Sequence, residues 1–249
     1  MELLFVFIFG ALIGSFLNVV ILRIPRDESV AFPASHCMSC NTPLRAWHNV
    51  PIVSWLFLRG KCAFCGAKIS IQYPLIELFS ALIFLFSAMK FGFTAQALGV
   101  AITFDLLLAL SAIDYRYKMV PDSLNLGALT VAIFSVTSLE QFGYNVTNAL
   151  LFAGGFSLLR FYISYIIKKE AMGEADIMIA ATMGALLGIK LGLVAIFIGA
   201  VLALPALILT RDESDESKEL PFIPFLAMGC WIVLMFDTYV NSYLVGIYG

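Results

Sequence analysis

Two aspartates border long apolar runs of this chain, where a charged side chain is expensive to place. Asp114 lies in the segment Ala-Ile-Asp-Tyr-Arg, and Asp176 lies in the segment Met-Gly-Glu-Ala-Asp. A carboxylate near hydrocarbon costs several kcal/mol and is usually kept for function. Two carboxylates at hydrogen-bond distance share a proton, so one can activate water while the other polarises a carbonyl group. The two residues therefore predict a catalytic carboxylate pair.

Four cysteines form a second constellation with the spacing C-x2-C-x21-C-x2-C. They are Cys37, Cys40, Cys62 and Cys65. Two such pairs can place four thiolates around one tetrahedral zinc ion. Asn41 and Gly66 follow the two pairs and tolerate the tight turn that each pair requires. We predict a structural zinc site; two disulfides are the alternative, which a reducing cytoplasm disfavours.

The composition indicates a membrane protein. Of the 249 residues, 61% are hydrophobic and 13% are charged, whereas a soluble domain carries roughly 25% charged residues. The net charge is −2 and no basic tract is present, which makes nucleic acid an unsuitable partner. The predicted fold class is an all-α polytopic integral membrane protein with a small zinc-ribbon-like loop.

About eight segments are apolar and long enough to be read as membrane spans. The stretch after residue 176 is too long for one helix, and we divide it at Lys190, which Gly188 and Gly192 flank. The predicted spans are 3–22, 74–90, 95–113, 123–140, 146–167, 176–189, 191–210 and 221–245.

Basic residues set the predicted orientation. Thirteen of the 15 Lys and Arg residues fall in segments on one side of this arrangement, which the positive-inside rule makes cytoplasmic. Both aspartates then lie at the cytoplasmic face, and the acidic loop 211–220 is a solvated connection. The predicted domains are a first transmembrane helix (1–22), a cytoplasmic four-cysteine domain (23–72) and a helical membrane domain (73–249).

Other acidic residues receive structural interpretations from their positions. Asp105 lies nine residues before Asp114 and so faces the opposite side of the same helix. Glu77 opens the second span, where it caps the helix or supports the preceding loop. Asp122 follows Pro121 at a good N-cap position; contact with a substrate is the alternative.

Small residues at intervals of four predict close helix packing. One stripe follows Asp176 and consists of Ala180, Gly184 and Gly188. A similar stripe on the first span consists of Gly10, Gly14 and Asn18. Such stripes let a second helix approach closely in a membrane, and close packing would let Asp176 meet Asp114 from another helix.

In their order along the chain, these motifs resemble the type IV prepilin peptidases, which belong to the GxGD group of membrane aspartyl proteases. Besides the cysteine pairs, the resemblance rests on Gly14–Val20, Asn49–Trp55, Arg59–Cys62, Tyr73–Glu77, Ile113–Asp114, Pro121–Asp122, Gly173–Asp176 and Pro221–Phe225. It implies that Asp114 and Asp176 are catalytic. The supporting residues it implies are Gly173, Glu174, Ala175, Asp122 and Glu77. The family has glycine where this chain has Ala175, so a left-handed backbone there would put activity in doubt.

The resemblance also implies a function. A bacterial inner-membrane enzyme of this kind cleaves the leader of prepilins and pseudopilins after glycine, and then methylates the new N-terminus with S-adenosylmethionine. Its partners are these substrates and membrane lipid, and the loop 24–72 is the expected contributor to methylation. A proton-coupled transporter that uses intramembrane aspartates and a non-catalytic zinc-ribbon scaffold are the alternatives.

Overall fold

The computed structural model describes residues 1–170, 172–210 and 221–248, and within them it contains helices but no β-strand. The predicted acidic loop 211–220 lies outside these residues. Two isolated β-bridges occur, both in the four-cysteine segment. The helices are α1 (Glu2–Arg23), α2 (Val53–Phe57), α3 (Gln72–Phe91), α4 (Ala95–Tyr117), α5 (Asp122–Phe134), α6 (Leu139–Ile167), α7 (Glu174–Thr210), α8 (Ile223–Met235) and α9 (Asp237–Tyr248).

Among the described residues, five helices are long and apolar enough to cross a membrane if α7 is counted once, and six if the bent pair α8 and α9 forms one span. The eight predicted spans differ from these helices in three places. The predicted fourth span was too long: α5 has 13 residues, or about 20 Å, and does not cover a hydrocarbon core of roughly 30 Å. The predicted last span is two helices that meet at 80°.

The ends of the helices follow local chemistry. Ser138 precedes α6, and its side-chain oxygen accepts the backbone N–H of Gln141 at 3.2 Å. This bond satisfies one of the N–H groups that have no partner inside the helix. At the other end of α6, Lys168 adopts a left-handed conformation with φ +54°, which stops the helix before the segment that carries Asp176.

Contacts divide the chain into two compact units, Met1–Ala97 and Leu98–Gly249. In the first unit, α1 and α3 pack against each other in antiparallel register. Gly10 faces Ala81, Gly14 faces Glu77, and Asn18 donates a hydrogen bond to the Tyr73 carbonyl at 3.1 Å. The close approach that the small-residue stripe on α1 predicted is confirmed. The domain boundaries at residues 22 and 72 stay a prediction.

In the second unit, α7 consists of two arms that meet at Gly188, where the backbone leaves the helical region with φ +70°. A methyl group added at Gly184 or at Gly192 would lie within 2.7 Å of the same Phe152 ring. In a straight helix these two positions would be about 12 Å apart, too far for one ring to touch both. The chain therefore bends at Gly188, which confirms the predicted division beside Lys190.

Pairwise contacts give the order in which the helices of the second unit pack. Helix α4 packs against α5 and α8, the first arm of α7 packs against α5 and α6, and its second arm packs against α8. Contacts that define this order join Leu106 to Gly127, Phe104 to Trp231, Asn148 to Gly184, and Gly199 to Leu226. Their register brings the end of α4 to the starts of α5, α7 and α8. The helix that packs closely against the Gly184 stripe is thus α6, and not α4, which carries Asp114.

The α1–α3 contact predicts that Gly14→Ala is destabilising. The added methyl group would lie 2.7 Å from the Cα of Glu77, so the helices must separate at a cost of roughly 1–3 kcal/mol. Gly154→Ala is the matched control, because that helical glycine has open space around it and alanine is the better helix former. Thermal unfolding in detergent should show a lower midpoint for Gly14→Ala alone; equal midpoints would contradict the packing described.

Candidate functional site

Asp114 lies near the C-terminal end of α4 and is 8% exposed. Its Oδ2 accepts the backbone N–H of Ile223 at 3.3 Å. Ile223 is the first residue of α8, so its N–H has no partner within that helix. The carboxylate of Asp114 thus satisfies the start of a helix that follows it by more than one hundred residues.

Asp176 lies in the first turn of α7, two residues after Glu174, where the helix begins. Its Oδ2 accepts the backbone N–H of Gly173 at 3.3 Å. An acidic side chain that reaches back to the N–H just before its helix forms half of a capping box. The sequence Gly-Glu-Ala-Asp therefore fixes the Asp176 side chain against its own helix start.

Asn125 fixes the same segment from the neighbouring helix. It is fully buried in the first turns of α5, and its Nδ2 donates to the carbonyl of Ala175 at 3.0 Å. Its Oδ1 is buried without a hydrogen-bond partner among the described residues. Sequence reasoning missed this residue, although an amide in an otherwise apolar helix turn was a signal for it.

Ala175 has a helical backbone. It belongs to α7 and is not among the residues with positive φ. Since alanine is penalised only in the left-handed region, the replacement of the family glycine introduces no backbone strain here. Its carbonyl, and not its side chain, makes the contact with Asn125.

The two aspartates thus belong to one end of the second unit. Asp114 contacts the start of α8, and the residue before Asp176 contacts the start of α5. Only residues 118–121 separate α4 from α5. The contact of Asp114 with the start of α8, the short connection from α4 to α5 and the contact of Asn125 with Ala175 thus link the segments that carry the two carboxylates.

The remaining acidic residues have different surroundings. Asp122 is exposed in the first turn of α5, but the N-cap position is Pro121 and no side-chain cap bond forms. The predicted capping role of Asp122 was therefore wrong by one position. Asp105 is buried within α4. Glu174 is exposed and pairs with Arg160 of α6 at 3.1 Å, and such exposed pairs contribute little to stability.

The four-cysteine segment folds as two similar turns. In each turn the first cysteine donates its N–H to the carbonyl five residues later and accepts an N–H from the residue four positions later. Asn41 and Gly66 donate the N–H of the second bond in each turn. Their φ values, +57° and +72°, are left-handed. This conformation suits asparagine and glycine, as the sequence predicted.

The sulfur atoms of Cys37, Cys40, Cys62 and Cys65 all lie within 4.8 Å of one another. The Cys37 and Cys65 sulfurs are 3.9 Å apart, close to the roughly 3.8 Å expected around a tetrahedral ion with metal–sulfur bonds near 2.3 Å. The cysteines are free thiols and not disulfides. These four residues therefore fit a single metal ion.

Hydrogen bonds support the anionic form of two of these thiols. The hydrogen bond with the Thr42 hydroxyl lowers the pKa of Cys40 to about 6. Hydrogen bonds from backbone N–H groups lower the pKa of Cys62, and the bond from the Cys65 N–H has the largest effect. The Ala67 backbone hydrogen bond lowers the pKa of Cys65, but burial and the other three cysteines together raise it to about 11. Thiolates are the form that binds metal, so the lowered pKa values of Cys40 and Cys62 suit a cation.

Glu77 joins α3 to the loop that carries the cysteines. It is 7% exposed, its Oε2 accepts the Ile52 N–H at 2.6 Å, and Ser15 also bonds to it. Ile52 has φ +62° and ψ −52° at the centre of a γ-turn closed from Val53 N to Pro51 O. A β-branched residue is strained in this conformation and persists only where its surroundings hold it.

Two family models cover most of the chain. Residues 8–91 match the bacterial peptidase A24 N-terminal domain, and residues 101–208 match the type IV leader peptidase family. No solved structure matches the chain significantly.

Curated relatives are similar over nearly their whole length. The prepilin leader peptidase/N-methyltransferase of Neisseria gonorrhoeae is 36% identical, over 91% of this chain and 87% of that protein. The protein of the same name from Xanthomonas campestris is 33% identical, over 94% of this chain and 92% of its own. The type 4 prepilin-like proteins leader peptide-processing enzyme of Escherichia coli is 35% identical, over 88% of each.

The contact between Glu77 and Ile52 makes a testable prediction. Glu77→Ala leaves the Ile52 N–H without its acceptor, and a hydrogen bond to a charged group contributes about 1.5–3 kcal/mol. Hydrogen exchange at Ile52 should therefore accelerate by roughly 10- to 100-fold. Glu77→Gln keeps an acceptor oxygen and should change exchange much less. Unchanged exchange in Glu77→Ala would show that other contacts hold the turn.

Proposed function

The chain belongs to the type IV leader peptidase family, and we propose that it removes the leader peptides of type IV prepilins and pseudopilins with Asp114 and Asp176. The observation that supports this proposal is that Asp114 contacts the start of α8 and that the segment of Asp176 contacts the start of α5. The starts of helices carry partial positive charge, which stabilises carboxylates and the negative charge that develops during peptide hydrolysis.

The reaction needs no covalent nucleophile. One aspartate, ionised, takes a proton from water, which attacks the scissile carbonyl; the other, protonated, donates a hydrogen bond to the carbonyl oxygen. The proton then passes to the leaving amine, and the pair returns to its singly protonated state. The substrate bond lies after the leader glycine, before an apolar helix that occupies the membrane.

A proton-coupled transporter is less well supported. A transport pathway would use acidic residues at successive depths of the membrane, so Asp105 would share the function of Asp114. Asp114 and Asp176 each accept a backbone N–H at a helix start, whereas Asp105 lies nine residues before Asp114 along α4. The catalytic pair lies at the cytoplasmic face of the inner membrane, in keeping with the distribution of basic residues.

The ion of the four-cysteine segment is zinc. The thiolates of Cys37, Cys40, Cys62 and Cys65 would hold it, and because four protein ligands would leave no position open for a substrate, the ion would serve a structural purpose. A polar loop of this size cannot build its own core, and metal binding supplies folding free energy instead. A scaffold without catalysis would need this site but not the aspartates.

The second activity is methylation of the new N-terminus, with S-adenosylmethionine as methyl donor. The names of the relatives support this activity. The loop 24–72 contributes to it, because this loop is the long polar segment beside the membrane.

Single replacements of the aspartates test the catalytic pair. Asp114→Asn and Asp176→Asn should each lower leader cleavage by about 10²- to 10⁴-fold, since an amide can neither accept nor share the proton. The purified protein is incubated with a prepilin peptide and S-adenosylmethionine, and mass spectrometry reads leader loss and methylation together.

Asp237→Asn is the matched control, because Asp237 lies at the bend between α8 and α9 and bonds to the adjacent Thr238. It should leave cleavage unchanged, as should Asp105→Asn. Full activity in either Asp114→Asn or Asp176→Asn would refute the carboxylate pair. Loss of function in Asp105→Asn, together with proton-coupled uptake in proteoliposomes, would favour the transporter.

Metal analysis tests the zinc site. The purified chain should hold about one zinc ion, and Cys65→Ser should lose it because three thiolates no longer close the tetrahedron. Cys230→Ala is the control, since Cys230 lies buried in α8, outside the cluster. We expect Cys65→Ser to weaken loop order and methylation more than cleavage. A purified chain without zinc would remove the metal assignment.

A further inference from the structure

Helix α2 exposes its apolar side chains. Val53, Leu56 and Phe57 are 46%, 60% and 83% exposed, and their spacing places them on one face of the helix. Trp55 points the other way: it is half-buried and its Nε1 donates to the Ile69 carbonyl at 3.3 Å. The face that α2 presents outward is thus apolar, although the loop around it is largely polar.

The position of α2 relative to the membrane follows from its connections to α3. Ile52, just before α2, bonds to Glu77 at 2.6 Å, and Ile69, which holds Trp55, lies three residues before α3 begins. Glu77 is the sixth residue of α3, so it lies about 7.5 Å from the start of that helix.

The length of α3 indicates how deep in the membrane α2 lies. Its 20 residues rise about 30 Å, which equals the usual thickness of the hydrocarbon core. Helix α2 is therefore held at the boundary between hydrocarbon and headgroups. At that depth, an exposed row of valine, leucine and phenylalanine side chains faces lipid instead of water.

The charges around α2 complement an anionic lipid surface. From residue 29 to residue 71 the chain contains no Asp or Glu, although the whole chain has a net charge of −2. The same segment holds four exposed cationic side chains, those of Arg45, Arg59, Lys61 and Lys68. Basic residues beside a membrane are attracted to anionic headgroups by about 1 kcal/mol each.

We propose that the face formed by Val53, Leu56 and Phe57 inserts into the bilayer interface, with anionic phospholipid headgroups bound by the neighbouring cations. This apolar face and these cations form the combination typical of segments that lie in the plane of a membrane surface. The contact fixes the four-cysteine loop against the membrane beside the ends of α1 and α3. The proposal does not rest on the proposed enzymatic activity.

Tryptophan quenching in nanodiscs tests this contact with the full chain. Phe57→Trp adds an indole to the inserted face, and Ser39→Trp adds one at an exposed position between two metal-binding cysteines. Each variant is compared with the unmodified chain in lipids brominated near the glycerol end of the acyl chains. The nanodiscs contain phosphatidylcholine alone or a mixture with phosphatidylglycerol.

The added indole of Phe57→Trp should be quenched at least about twofold more than that of Ser39→Trp, because the inserted face lies within 5–10 Å of the acyl boundary. Its emission should also lie at shorter wavelength, and quenching should rise when phosphatidylglycerol is present. Leu56→Trp repeats the measurement if Phe57→Trp does not fold.

Equal quenching of the Phe57→Trp and Ser39→Trp indoles would overturn the insertion. Quenching that does not respond to phosphatidylglycerol would overturn the binding of anionic headgroups. If the face instead binds a second copy of the chain, the Phe57→Trp indole escapes bromine and its emission changes with the number of chains per nanodisc, which would also overturn the proposal.

Discussion

The structure depends on one interaction, in which a carboxylate in the helical core accepts a backbone N–H that has no partner of its own. The three pairs are Glu77 with Ile52, Asp114 with Ile223, and Asp176 with Gly173. A buried carboxylate and an unpaired N–H are each costly in an apolar environment, so their pairing removes two penalties at once. The first two pairs each join two separate segments, and the third fixes the start of its own helix α7, so the pairs determine where loops and helix starts lie.

The surroundings of Asp114 depend on the bend at Gly188. Because α7 turns there, its second arm returns along the bundle, and α8, antiparallel to that arm, begins at the end where α4 finishes. Had α7 continued straight for its 37 residues, or about 55 Å, the start of α8 could not reach Asp114. A single glycine with left-handed φ thus brings the Ile223 N–H to a carboxylate in a different helix.

Sequence patterns predicted the features that depend on neighbouring residues. They did not predict the features that depend on residues far apart in the chain. The cysteine turns, the stripe of Gly10 and Gly14, and the break near Lys190 follow from local patterns, and the structure has them. The contact of Asn125 with Ala175 joins residues 50 positions apart, which no local pattern reports. The left-handed Ile52 is a similar case, because Glu77 holds it from 25 residues away.

The loop between α1 and α3 shows how a buried carboxylate controls a surface. Composition alone describes residues 24–72 as a polar cytoplasmic domain. The bond from the Ile52 N–H to Glu77 holds the start of α2 beside the first turns of α3. The four cysteines determine the shape of the loop, whereas Glu77 determines its position at the membrane boundary. In the proposed arrangement, the exposed Phe57 side chain faces lipid at that position.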